Sequence, residues 1–229
     1  TDEDSRYDAT FKSEYYATDD YPSGGVKAGD LRVYFPKYDK PLTTQDSLKI
    51  MADNPHAIIV PKQMWKQDIE KIGGSGIFPM VWKFYDPEAM WPSNNTNYTS
   101  GRDIYLFRLA DTYLMAAEAY FKMGDKEKAA ERINTVRMRA AKPGMESSMM
   151  ITADQVDIDF ILDERARELV GEYKRWMDLK RTGKLIERTL KYNNLAARMN
   201  QMDQHILVRP IPQTVIDQDN GNFPQNPDY

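Results

Sequence analysis

From Leu106 to Phe121 apolar residues recur every three or four positions: Leu106, Leu109, Ala110, Tyr113, Leu114, Ala117, Tyr120 and Phe121. That spacing predicts an amphipathic helix. Gly124 ends it in the left-handed position that commonly follows a helix. Asp125 is placed to cap a second helix, which gathers Ala129, Ile133, Val136 and Ala140 on one side before Pro143-Gly144 closes it. A third helix is expected from Thr152, where Thr152-Ala153-Asp154-Gln155 fits a capping box, with Ile158, Ile161, Leu162, Ala166, Leu169 and Val170 inward. Gly171 breaks or bends it, and helical patterns resume over Tyr173–Arg181 and Lys184–Tyr192. The stretch Leu207–Pro212 holds Pro210 and Pro212 and should run extended over the core.

Before residue 102 the pattern changes. Leu31-Arg32-Val33-Tyr34-Phe35, ended by Pro36, and Ala57–Val60, ended by Pro61, read as edge strands or extended segments. Met80–Tyr85 reads as a further strand, and a helical pattern is clear only around Pro61–Ile72. Gly24-Gly25 and Gly73-Gly74-Ser75-Gly76 punctuate loops. The expected fold is mainly α. A loop-rich region with a few short strands, 1–101, packs on the helices of 102–229, which end in an extended tail, as one structural unit.

Composition narrows the chemistry. The 229 residues are 41% hydrophobic and 29% charged, near the globular average. Cysteine is absent, which removes disulfides, thiolate metal sites and thiol nucleophiles together. The two histidines, His56 and His205, lie far apart and cannot build a three-histidine zinc centre. A net charge of −4 argues against general nucleic-acid binding. No apolar run approaches the ~20 residues of a membrane helix, and Thr1-Asp2-Glu3-Asp4 is no signal peptide. There is no G-x-S-x-G, P-loop or G-x-G-x-x-G, and no cofactor is expected.

The run Ala117-Glu118-Ala119-Tyr120-Phe121-Lys122-Met123-Gly124-Asp125, followed by Ala129-Ala130 and Pro143, resembles one tetratricopeptide helical hairpin. Stacked repeats generally need about three units. The hairpin therefore docks on residues 1–101 or belongs to a longer array, of which this chain is a piece. Three further segments resemble the SusD/RagB family. They are Phe107-Arg108-Leu109-Ala110-Asp111-Thr112-Tyr113-Leu114-Met115-Ala116-Ala117-Glu118-Ala119; Glu164-Arg165-Ala166-Arg167-Glu168-Leu169 with Gly171-Glu172 and Arg175-Trp176-Met177-Asp178-Leu179-Lys180-Arg181-Thr182-Gly183; and Arg209-Pro210-Ile211-Pro212-Gln213 with Gln225-Asn226-Pro227-Asp228-Tyr229. Arg6-Tyr7-Asp8-Ala9-Thr10-Phe11 extends the likeness towards the N-terminus. Asp228 and Tyr173 depart from the family's pattern, which favours glycine at the first and a small residue at the second. The resemblance implies a nutrient-binding lipoprotein on the outer-membrane cell surface of Bacteroidetes, and not an enzyme. Such proteins capture glycans, less often peptides, and deliver them to a TonB-dependent SusC-like transporter. It also implies a longer protein whose N-terminal part carries the lipid anchor and most of the hairpins.

The candidate ligand-binding residues are Trp91, Asn94, Asn95 and Tyr98, in Trp91-Pro92-Ser93-Asn94-Asn95-Thr96-Asn97-Tyr98. An aromatic ring stacks on the C–H face of a sugar, and asparagine amides donate to and accept from hydroxyls. The competing reading is a polar loop in which Ser and Asn make turns. The charged run Asp163, Glu164, Arg165, Arg167, Glu168, Glu172, Arg175, Asp178 and Arg181 reads as structural ion pairs, with Glu172–Arg175, Arg175–Asp178 and Asp178–Arg181 each three residues apart on one helix face. A glycoside hydrolase would need two carboxylates ~5–10 Å apart across a sugar cleft. A tetratricopeptide scaffold for a protein ligand would present a groove of helix residues instead of loop aromatics. Trp82 is expected in or half in the core and Trp176 in packing, while Tyr15, Tyr16 and Tyr21 could serve as surface platforms.

Overall fold

The computed structural model describes residues 2–37, 42–61, 78–87, 100–193, 196–197, 202–219, 223–227 and 229. They form two compact units, Thr1–Glu172 and Tyr173–Tyr229. The helix expected over Pro61–Ile72 lies, beyond Pro61, outside the described residues.

The first unit opens with a short helix, α1 (Arg6–Thr10), and strands β1 (Phe11–Lys12), β2 (Glu14–Tyr16) and β3 (Leu31–Tyr34). Helix α2 (Thr44–Asp53) and strands β4 (Ile58–Ile59) and β5 (Met80–Val81) follow. β1 pairs antiparallel with β5, while β3 pairs antiparallel with β2 and parallel with β4. The two strand predictions that ended at prolines hold; the third keeps only Met80–Val81, because the chain turns at Lys83–Phe84. Helix α2 has no buried residue: its apolar face is short, and Leu48 and Met51 on it are exposed. Its signal was the Thr43/Asp46 capping box, in which Asp46 N donates to Thr43 Oγ1 at 3.1 Å and Thr43 N to Asp46 Oδ2 at 3.2 Å.

The core is the helical hairpin α3 (Leu109–Lys122) and α4 (Lys126–Ala140), followed by a short α5 (Glu146–Met149) and α6 (Ile158–Glu168). Ala117 and Ala129 are fully buried, which lets the two helices approach closely around Leu114, Ile133 and Val136. Gly124 (φ 85°) makes the turn, and Asp125 caps α4 through Lys128 N. Tyr113 packs at the edge of this core. Two expected core positions do not belong to it: Leu106 is 75% exposed and Leu109 is 70% exposed. Helix α3 begins later than its apolar pattern. Arg108 keeps an extended backbone (φ −147°, ψ 160°), because its side chain is committed to acceptors near the end of α6. The Thr152 capping box is also present but caps a single 3-10 turn, Ala153–Gln155; α6 starts at Ile158 under an Asp157 cap. Buried Asn134 on α4 ties this connection down, donating to Ile151 O (2.9 Å) and accepting from Ile151 N (2.8 Å). The N-terminal segment joins the hairpin through Ser5 N and Oγ, both donating to Ala140 O, and Lys142 N, donating to Glu3 O.

The α6 helix stops at Glu168. Gly171 (φ 77°) and Tyr173 (φ 60°) take left-handed backbone on either side of Glu172. Glu172 therefore shares no helix face with Arg175, contrary to the expected spacing. Tyr173 holds a conformation that costs an ordinary residue ~1–2 kcal/mol, a physical reason for a glycine or small residue there.

In the second unit α7 (Arg175–Arg181) and α8 (Leu185–Tyr192) are joined by Gly183 (φ 70°), with Lys184 N donating to Leu179 O. Asp178 pairs with Arg181 at 2.8 Å. Trp176 is an exposed ring with the Arg209 guanidinium 5.6 Å from its centroid, so it is less enclosed than expected. Extended residues 208–212 lead into α9 (Gln213–Gln218), and the Gln225 amide clasps Ile211 N (2.8 Å) and O (2.9 Å).

Candidate functional site

Trp91, Asn94, Asn95 and Tyr98 lie outside the described residues. Within the first unit the structure assembles two features: a network of ion pairs at the end of α6, and an aromatic cluster beside it.

The network is built on three glutamates. Glu164 and Glu168, one helical turn apart on α6, and Glu172, beyond the helix break, are all buried. Glu164 accepts from Arg6 Nη1, Arg137 Nη1 and Arg167 Nη2, each at 2.7 Å. Glu168 accepts from Arg6 at 3.0 Å, Arg108 at 2.6 Å and Arg139 at 2.5 Å. Glu172 accepts from Arg108 Nε at 2.9 and 2.8 Å and from Lys83 Nζ at 2.5 Å. Arg6 also grips Asp4 through two parallel hydrogen bonds, at 2.9 and 2.7 Å. A second buried pair, Arg165–Asp111 at 2.8 Å, links α6 to α3. The folded chain thus brings α1, α3, α4, α6 and the Lys83 segment to one charged centre.

The chemistry of this centre follows from its charges. Burial alone would raise the Glu164 carboxyl; the charges of Arg6, Arg167 and Arg137 override it and hold the group below the usual glutamate range. Glu172 behaves alike: burial pushes upward, and hydrogen bonds from Arg108 and Lys83 bring it down. Burial would lower Arg6, yet Asp4 and Glu164 raise it. A general acid must hold its proton near neutral pH. Glu164 and Glu172, held ionised by their cationic partners, do the reverse, which supports the structural ion-pair reading of the charged run. Sequence spacing found the glutamates but missed Arg6, Lys83, Arg108, Arg137 and Arg139 as their partners, because these come from segments distant along the chain.

The aromatic cluster involves Tyr15, Trp82 and Tyr85. Trp82, half-buried as expected, stacks on Tyr85 with centroids 3.6 Å apart and planes 14° apart. Lys12 Nζ lies 4.3 Å from the Trp82 centroid and 5.0 Å from that of Tyr15. Tyr15 is half-buried and accepts from Met80 N through its hydroxyl, whereas Tyr16 and Tyr21 are exposed. Tyr85 was not singled out in the sequence, where it falls at the end of an apparent strand. Among the described residues no group of His, Cys, Asp or Glu is arranged to hold a metal ion.

The fold is mainly α and built on a helical hairpin, and its first unit joins buried carboxylates held by arginine to a neighbouring aromatic cluster. The chain belongs to the SusD family, whose model matches residues 1–229. It is 40% identical over 92 residues to SusD-like protein P38 of Formosa agariphila, covering 37% of this chain and 18% of that protein. It is 33% identical over 137 residues to SusD-like protein P25 of the same organism, covering 59% and 25%. It is 29% identical over 194 residues to the starch-binding protein SusD of Bacteroides thetaiotaomicron, covering 82% and 33%. The matched stretches span a third or less of these relatives' lengths.

Proposed function

We propose that this chain is part of a cell-surface protein that captures oligosaccharides. It passes them to a TonB-dependent SusC-like transporter in the outer membrane, where a lipid anchor holds it. Family membership across all 229 residues carries the reading, and a relative named for starch binding supports it. The arginine-saturated glutamates agree with recognition without bond cleavage. Capture needs ring faces for the apolar side of a sugar and amides for its hydroxyls. Trp91, Asn94, Asn95 and Tyr98 supply both within one short segment and are the proposed contact set.

The test is a glycan array of plant, algal and host oligosaccharides probed with the full-length protein, followed by titration of the best ligand. Trp91→Ala should weaken binding about five- to tenfold, the value of one stacked ring at about 1–1.5 kcal/mol. Equal affinity removes Trp91 from the site. Failure to bind any glycan, with retention of a protein ligand, would favour the tetratricopeptide-scaffold alternative.

A further inference from the structure

We infer that Tyr85 is a preformed stacking face for a pyranose ring, held in position by a segment that Lys83 ties to the ion-pair network; the inference rests on the glycan-capture reading above.

The segment 82–85 is pinned at every residue. Trp82 N donates to Thr10 O at 2.6 Å, and Tyr85 N closes a turn on Trp82 O at 2.8 Å. Lys83 Nζ reaches the Glu172 carboxylate at 2.5 Å and the Glu168 carbonyl at 3.1 Å. Phe84 lies over Gly171 so closely that a Cβ there would stand 2.5 Å from its Cε2. Lys83 and Phe84 thus tie the segment to the Glu168–Glu172 stretch, and Trp82 and Tyr85 stack on each other.

The two rings are not equivalent. A ring stacked at 3.6 Å leaves no room for an ammonium on the same side, so Lys12 occupies the face of Trp82 opposite Tyr85. Both faces of Trp82 are therefore taken. Tyr85 has one face covered and keeps 38% of its surface exposed. Beside it, exposed Arg102 donates Nη1 to the Tyr85 carbonyl at 2.5 Å. Its remaining N–H groups are available to ligand hydroxyls. A ring fixed before the ligand arrives loses little conformational freedom on binding. A partly exposed aromatic ring with guanidinium N–H donors beside it suits the C–H face and hydroxyl edge of a sugar.

The test uses the full-length protein and the strongest glycan from the array. Titration should show Tyr85→Ala weakened about five- to tenfold, and Tyr85→Phe within about twofold of wild type, since the ring is retained. In parallel, the glycan should protect Tyr85 of the wild-type protein from nitration by tetranitromethane, read by peptide mapping; this arm stands even if Tyr85→Ala fails to fold. Unchanged affinity of a folded Tyr85→Ala, or unprotected nitration at saturating glycan, overturns the stacking face while leaving glycan capture intact. A wild-type protein that binds nothing on the array overturns both.

Discussion

Replacing Glu164 by glutamine removes one negative charge from the centre of the network while keeping the side chain's shape. Glu164 is fully buried, and three arginines converge on its two oxygens. Removing one member of a buried pair costs roughly 3–5 kcal/mol, because the remaining charge stays buried without compensation. Two features move the figure to the low end. Arg167 is 41% exposed and recovers water, so its pair contributes little. Arg6 keeps Asp4 and Glu168. Arg137 bears most of the loss, and the new amide NH₂ must face a guanidinium donor. The expected cost is about 3 kcal/mol. For a chain of this size that is about 6–12 °C in the thermal midpoint, at ~2–4 °C per kcal/mol.

The pH dependence gives a second reading of the same charge. A carboxyl held below its unfolded value stabilises the fold above that value, about 4.3 for glutamate. The stabilisation is lost as pH falls through the lower folded value. Calorimetry at pH 7 should therefore show the full gap between wild type and Glu164→Gln, and the gap should close in acid. Midpoints within 1 °C at pH 7 (~0.3 kcal/mol), or a gap that ignores pH, would refute the claim that this carboxylate is held ionised by its arginines.

Two further substitutions probe the elements around the network. Gly171→Ala must accept φ 77° and push Phe84 aside, and should lower stability by about 2 kcal/mol in urea unfolding. Asn134→Ala strips Ile151 of both backbone partners and should cost about 1–3 kcal/mol by the same assay. If either variant matches wild type, the contact named for it does not support the fold.

The hairpin was legible because α3 and α4 carry their apolar faces in sequence, and Gly124 and Asp125 mark the turn. Leu106 and Leu109 misled because the pattern records apolarity, whereas the helix start is set by Arg108 reaching glutamates some sixty residues away. Helix α2 was missed for the complementary reason: its apolar face is only one turn or so long, and Leu48 and Met51 on it are exposed. Glu164, Glu168 and Glu172 stood out as a charged run, but which cations answer them depends on long-range packing. Tyr85 was invisible because its role depends on a turn at Lys83–Phe84 that breaks the expected strand. The expected contact set around Trp91 lies outside the described residues and stands on chemistry alone.

The central claim is recognition of a glycan without its cleavage. Isothermal titration of the full-length protein with the strongest array ligand addresses both halves at once, since binding gives a heat that saturates and turnover gives one that continues. The account predicts saturable heats that return to baseline after every injection. Absence of any binding heat, or a sustained heat flow from hydrolysis, would contradict it.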